Sequence, residues 1–204
     1  MIINSKLFPD FLPNRKGLGV LHSIIGFIPD EYKWMAKLIG MKGDLKQGVS
    51  ELMSILTETK QQPEFSYMKD ETIYLLSIIE LNFLRDEEKM KALKDSISKE
   101  DNSNPLVVFS KALISMRTGN NDEAINVLEK RPLGKEYYPF TYLEYQLGMA
   151  YLDKLSPKAN IHFENFLKDF KGVNFIIAAN NKLAWSALVA GDISKYHQYN
   201  KMVL

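Results

Sequence analysis

The sequence predicts an all-α protein built from helical hairpins that follow one another in one direction. Three observations predict it: a turn joined to a helix start, the return of that device along the chain, and the weakness of strand signals. The device is clearest in "RTGNNDEAINVLEK" at 117–130. Gly119 can take the left-handed conformation that ends a helix. Asn121 or Asp122 can cap the next one, and Glu123 falls in its first turn. Ala124, Ile125 and Leu128 then line one face, and Ala124 is small enough to admit a close partner helix.

The same device returns elsewhere. "GDLKQGVSELMSIL" sets Gly43 five residues before Gly48, with Val49 and Leu52 after it. "GDISKYHQYNKM" sets Gly191 five residues before Tyr196. Near 155, "LDKLSPKANIHF" offers Pro157 as a first helical residue and Ala159 in the small slot. Near 85, "LRDEEKMKAL" is a charged break between apolar runs. Turns near 43, 85, 119, 154 and 191 stand roughly 34 to 42 residues apart, the spacing of helix-pair repeats.

The elements follow in order. Helices are expected near 15–27, 30–41, 44–59, 64–84, 86–99, 105–118, 121–130, 138–153, 157–170, 174–190 and 192–203. The first carries the apolar run "GLGVLHSIIGFI" (17–28), about half the length that spans a bilayer, and reads as a buried helix. An interfacial helix is the other reading of that run. The 86–99 helix opens on "RDEEKMK", a solvated charged face with i, i+4 pairs to Lys91. "PLVVFSKALI" has a β-branched start, but Asn104-Pro105 before it and Gly119 after it bound a helix.

Composition sets limits. The 204 residues suit one domain or a short repeat array, taken here as a single domain over 1–204. An apolar share of 46% and a charged share of 25% exclude disorder. A net charge of +1, with arginine confined to Arg15, Arg85, Arg117 and Arg131, gives no basic stripe for nucleic acid. The absence of cysteine excludes disulfides, zinc–cysteine sites and thiol catalysis. The N-terminal "MIINSKLFPDFLPNRKG" is not a signal peptide, which favours the cytoplasm. The final "YHQYNKMVL" runs on as helix without a stop signal, as in a short variant or a piece of a longer array.

Residues 143–166 resemble the tetratricopeptide repeat, a helix pair of about 34 residues. Leu147-Gly148 and Tyr151 fit its first helix; Ala159, Phe163 and Phe166 fit its second. Residues 32–55 fit through Tyr32, Met35-Ala36, Ile39, Gly48, Leu52 and Ile55. The 105–128 and 180–200 blocks are degenerate: Lys111 and Ser115 take apolar slots, and Tyr196 replaces an alanine. "FIPDEYKWMAKLIGMKGDLKQGVSELMSIL", "NPLVVFSKALISMRTGNNDEAINVLEK" and "FKGVNFIIAANNKLAWSALVAGD" are similar to successive blocks of the tetratricopeptide-repeat protein 39 family, also described as outer-membrane TPR proteins. The resemblance covers about 17–195. It implies a right-handed α-α superhelix of about five tetratricopeptide-like hairpins, and no catalytic residues.

Chemistry is thinly signalled. His22, His162 and His197 fall in different repeats. His162 and Glu164 would stand about 200° apart on a helix, the wrong geometry for one metal. No HExxH, GxSxG or phosphate-binding loop occurs, and the GLG at 17–19 lacks the rest of a dinucleotide fingerprint. No catalytic residue, metal or cofactor is assigned.

The aromatics point to binding. In a tetratricopeptide array the first helix of each pair lines the concave surface. The repeat register puts Phe109, Leu113 and Met116 there, then Tyr142, Tyr145 and Met149, then Asn181, Trp185 and Leu188. Tyr, Trp and Met are the residue types enriched at protein interfaces. The expectation is a non-enzymatic scaffold that binds a protein or peptide through Phe109, Met116, Tyr142, Tyr145, Met149, Asn181 and Trp185. The alternatives are a small-ligand or enzymatic helical protein, and a peripheral membrane adaptor using 17–28.

Overall fold

A computed structural model describes residues 7–38, 40, 43–84, 87–97, 99 and 102–203. Among them it holds eleven α-helices and no strand. In chain order these are α1 (Leu12–Phe27), α2 (Lys33–Leu38), α3 (Leu45–Glu58), α4 (Lys69–Ile79), α5 (Glu87–Ile97), α6 (Pro105–Arg117), α7 (Asn121–Glu129), α8 (Tyr142–Asp153), α9 (Ala159–Asp169), α10 (Ile176–Val189) and α11 (Ile193–Lys201). The helix expected over 64–84 is built as a 3-10 turn, Pro63–Met68, then α4, then a π segment, Glu80–Leu84. The chain divides into two compact units, one up to Leu93 and one from Lys94.

In the first unit α1 lies against α3, and α3 against α4. Glycine sets the approach of α1 to α3. A Cβ at Gly48 would stand 2.3 Å from Ser23 Oγ and 2.6 Å from the Gly19 carbonyl. Ser23 turns its hydroxyl back to that same carbonyl, 2.8 Å away. Arg15 to Glu58 (2.6 Å) and His22 to Glu51 (2.7 Å) close the edges of the seam. Leu12, Ile55 and Met68 form a buried cluster backed by Phe65.

One sequence pairing is corrected here. Gly48, Leu52 and Ile55 do sit in buried slots, but their partner is α1 and not the 30–41 segment. Tyr32 and Met35, read as packing residues, are exposed. Ile39 lies outside the described residues, as does the charged turn at Arg85 and Asp86. The stretch 17–28 forms most of α1, with Gly19, Ser23 and Ile25 buried. No helix among the described residues is long and apolar enough to cross a membrane.

The second unit is three hairpins, α6–α7, α8–α9 and α10–α11. Each first helix touches the next first helix, α6 to α8 and α8 to α10. Each second helix also touches the first helix that follows it. The turns repeat every 36 residues, at Gly119, Leu155 and Gly191. All three have positive φ, at 78°, 53° and 77°. In each, the next amide reaches back five residues to close the helix: Asn120 to Ser115, Ser156 to Tyr151, Asp192 to Ala187. The same step aligns Ala112, Gly148 and Ala184, all small and buried.

Some helix ends shift from the sequence reading. Asn104 caps α6 as expected, accepting from the Leu106 amide at 2.9 Å, with Pro105 at the first position. Asn120, rather than Asn121 or Asp122, precedes α7. α8 starts at Tyr142, not near 138, because Pro132, Gly134 and Pro139 break the preceding stretch. α9 begins at Ala159, two residues after Pro157.

Candidate partner-binding face

The 36-residue step defines a ladder on the first helices. Phe109, Tyr145 and Asn181 share one rung; Leu113, Met149 and Trp185 share a second; Met116, Leu152 and Leu188 share a third. Helix periodicity puts the rungs of each helix on one stripe, since they are three or four residues apart.

The first rung carries a repeated aromatic device. The Phe109 ring lies 5.7 Å from Phe140, which leads into α8. The Tyr145 ring lies 5.4 Å from Phe175, which leads into α10. Each ring on a first helix is thus covered by the aromatic that introduces the next hairpin. Phe175 holds this place in a left-handed conformation, φ 67°, unusual for a bulky residue. Tyr145 also meets Phe163 and Phe166 edge-on at 5.5 and 5.3 Å. Tyr142 touches Phe140, Phe166, Phe170 and Phe175 at 5.3 to 5.8 Å. Burial pushes the Tyr145 hydroxyl above its ordinary pKa.

The seven residues singled out from sequence therefore divide. Tyr142 and Tyr145 are brought together, but as half-buried members of an aromatic cluster. Phe109, Met116 and Met149 are half-buried and pack against the core of Val108, Ala112, Leu143 and Leu147. Asn181 is half-exposed, and Trp185 is 54% exposed. Among the described residues the Trp185 side chain has no ring or polar partner. Ile177 (63%) and Leu188 (40%) flank it on the same stripe of α10.

No protein-family model, curated protein or solved structure matches the chain.

A polar feature went unread in the sequence, because its residues lie on three helices and the connection after α7. Glu144 on α8 accepts from Arg131 and pairs with His162 Nδ1 at 2.9 Å. Burial alone would raise the Glu144 pKa. The hydrogen bond from His162, the Arg131 and His162 charges and a hydrogen bond from Asn165 outweigh it and hold the carboxyl below its ordinary range. His162 stacks on Tyr151, nearly parallel at 5.4 Å. The Tyr151 hydroxyl donates to Glu129, which with burial pushes its pKa up to about 12. Arg131 also donates to the Leu128 carbonyl. Every charged group here is matched within the fold, so the network ties α7, α8 and α9 together. Beside it, a hollow of about 260 Å³ is lined by Arg131, Tyr137, Tyr138, Phe140 and Asp169. Its arginine is committed to Glu144 and the Leu128 carbonyl, which leaves it poorly placed to take a ligand anion.

The remaining histidines sit elsewhere: His22 on the α1–α3 seam, and His197 beside the Tyr196 ring. Glu164, sequence neighbour of His162, instead accepts from Tyr199 at 2.9 Å.

Proposed function

We propose that the chain is a non-enzymatic scaffold of tetratricopeptide-like hairpins, wound as a right-handed superhelix, that binds a protein or peptide along its first-helix face. The observation that carries this reading is the exposed apolar stripe of α10, with Trp185 at its centre. A helix face that exposes Ile, Trp and Leu together presents a large, rigid anchor of the kind that dominates interface energetics. Further support is the repeated ladder itself, which arrays first-helix residues in register over three hairpins. Tyr142 and Tyr145 serve in this reading as the packed base of the face, and Trp185 as its contact residue.

Site-specific photo-crosslinking tests it. A photoreactive residue at Asn181 or Leu188, expressed in the native cell, is expected to give a discrete protein adduct. The same residue at Leu155 or Ile161, both exposed away from the ladder rungs, is the control. Adducts only from the control positions would overturn the reading.

A further inference from the structure

The connection from α7 to α8 does more than join two hairpins. Pro132, Gly134 and Pro139 keep it out of the helix, and it supplies one wall of the hollow beside the Glu144 network. The starts of α6 and α8 and the end of α9 supply the rest. Three rings of the connection line the hollow: Tyr137, Tyr138 and Phe140.

The polar groups around these rings decide which ligand fits. Two helices begin here, and helix starts ordinarily offer their amides to an anion. In this chain those amides are largely satisfied from within. The Leu106 amide donates to Asn104 Oδ1 and the Val107 amide to the Asn104 carbonyl. The Leu143 and Glu144 amides donate to the Phe140 and Thr141 carbonyls. Among the described residues, the charged side chains lining the hollow are Arg131, Glu144 and Asp169. Arg131 is spent on Glu144 and the Leu128 carbonyl, and the two Glu144 oxygens are taken by Arg131 and His162. Asp169 differs. Its carboxylate has no ion-pair or hydrogen-bond partner among the described residues. It is also the last residue of α9, where the helix dipole is negative.

An anion in the hollow would meet an unpaired carboxylate and an arginine already engaged. An organic cation would meet that carboxylate together with rings whose faces carry negative charge density. The volume, about 260 Å³, lies just under that of drug-sized ligand pockets and suits a head group rather than a large molecule.

We infer that the hollow binds a trimethylammonium group, with Asp169 as its counter-charge and Tyr137, Tyr138 and Phe140 as its aromatic wall. The group is weakly hydrated, so it enters among rings at less cost than a primary ammonium. Small free cations such as choline carry it, and so do trimethylated lysine side chains of proteins. The site is separate from the α10 stripe and does not rest on the scaffold reading.

Calorimetric titration of the full chain at fixed ionic strength tests it. The probes are choline, an acetylated and amidated trimethyl-lysine, and the uncharged analogue of choline in which a tert-butyl group replaces trimethylammonium. Both cations are expected to bind saturably, and the uncharged analogue at least fivefold more weakly. Asp169→Asn and Tyr138→Ala should each weaken cation binding about fivefold. Both residues are exposed, so both variants should melt like the parent, and circular dichroism verifies this. In tyrosine ring spectra by NMR, Tyr137 and Tyr138 should shift with either cation while Tyr196 on α11 stays in place.

Tighter binding of choline supports the site and gives it to a free small molecule; tighter binding of the lysine derivative supports it and gives it to a modified protein. Equal affinity for the uncharged analogue overturns the inference, as does binding that Asp169→Asn leaves unchanged. Competition by potassium at matching concentration also overturns it, since Asp169 would then be an ordinary counter-ion site. Shifts of Tyr137 and Tyr138 with inorganic phosphate, and none with choline or the lysine derivative, would give the hollow to anions and sink the inference.

Discussion

Gly148 faces the ring of Phe163: a Cβ built on the glycine would stand 2.8 Å from Phe163 Cε1, and the ring is fully buried. The absent side chain lets α8 and α9 close on each other. Gly148→Leu should therefore overpack the hairpin by about 1–3 kcal/mol, as should Ala124→Phe at the buried small slot of α7. Thermal and urea melts measure it. Phe163→Leu should recover part of the loss caused by Gly148→Ala, and a double-mutant cycle with no coupling would refute the contact.

Leu155 holds the left-handed turn position that glycine holds at 119 and 191. Its side chain is 70% exposed, so little packing is at stake. A branched side chain at positive φ costs roughly 1–2 kcal/mol, partly offset by the greater chain entropy of glycine. Leu155→Gly is expected to raise stability by about 0.5–1 kcal/mol, visible as a higher Tm. Gly119→Leu and Gly191→Leu should do the opposite by a similar amount.

Tyr145 and Trp185 separate stability from binding. Tyr145 packs on three phenylalanines, so Tyr145→Ala should cost about 2–3 kcal/mol. Trp185 is exposed, so Trp185→Ala should change stability by less than about 0.5 kcal/mol while removing partner adducts. Melts and crosslinking on both variants check this. A large loss of stability in Trp185→Ala would place that ring in the core.

Glu144 makes stability depend on acid. Its folded pKa is lowered, so its contribution is complete above the unfolded carboxylate value and is lost as pH falls through the folded one. Glu144→Gln should destabilise by about 1–3 kcal/mol at neutral pH, because Arg131 loses a charged partner. The variant should also show a shallower loss of stability below the ordinary carboxylate range. Urea midpoints from pH 7 downward measure both, and parallel curves for variant and parent would exclude the role.

Local signals decided which helices were legible in the sequence. Gly119 and Gly191 end helices because their own backbones favour positive φ, and Asn104-Pro105 starts one with groups two residues apart. Caps and turns of this kind need nothing distant, so the helix positions and the hairpin spacing of the second unit could be read from residue order. The small slots at Gly48, Ala124, Gly148 and Ala159 were readable for the same reason.

Which helix fills each slot was a tertiary matter. Periodicity shows that a face is buried, not against what, and α3 chose α1 across a 17-residue gap over the nearer α2. The same limit governs the face. Tyr142, Tyr145 and Trp185 look alike in sequence, but Phe170 and Phe175 arrive over the tyrosines from the α9–α10 connection. No corresponding ring reaches Trp185 among the described residues. Exposure is a property of what else is near in space, and so only the folded chain distinguishes the packed aromatics from the open one.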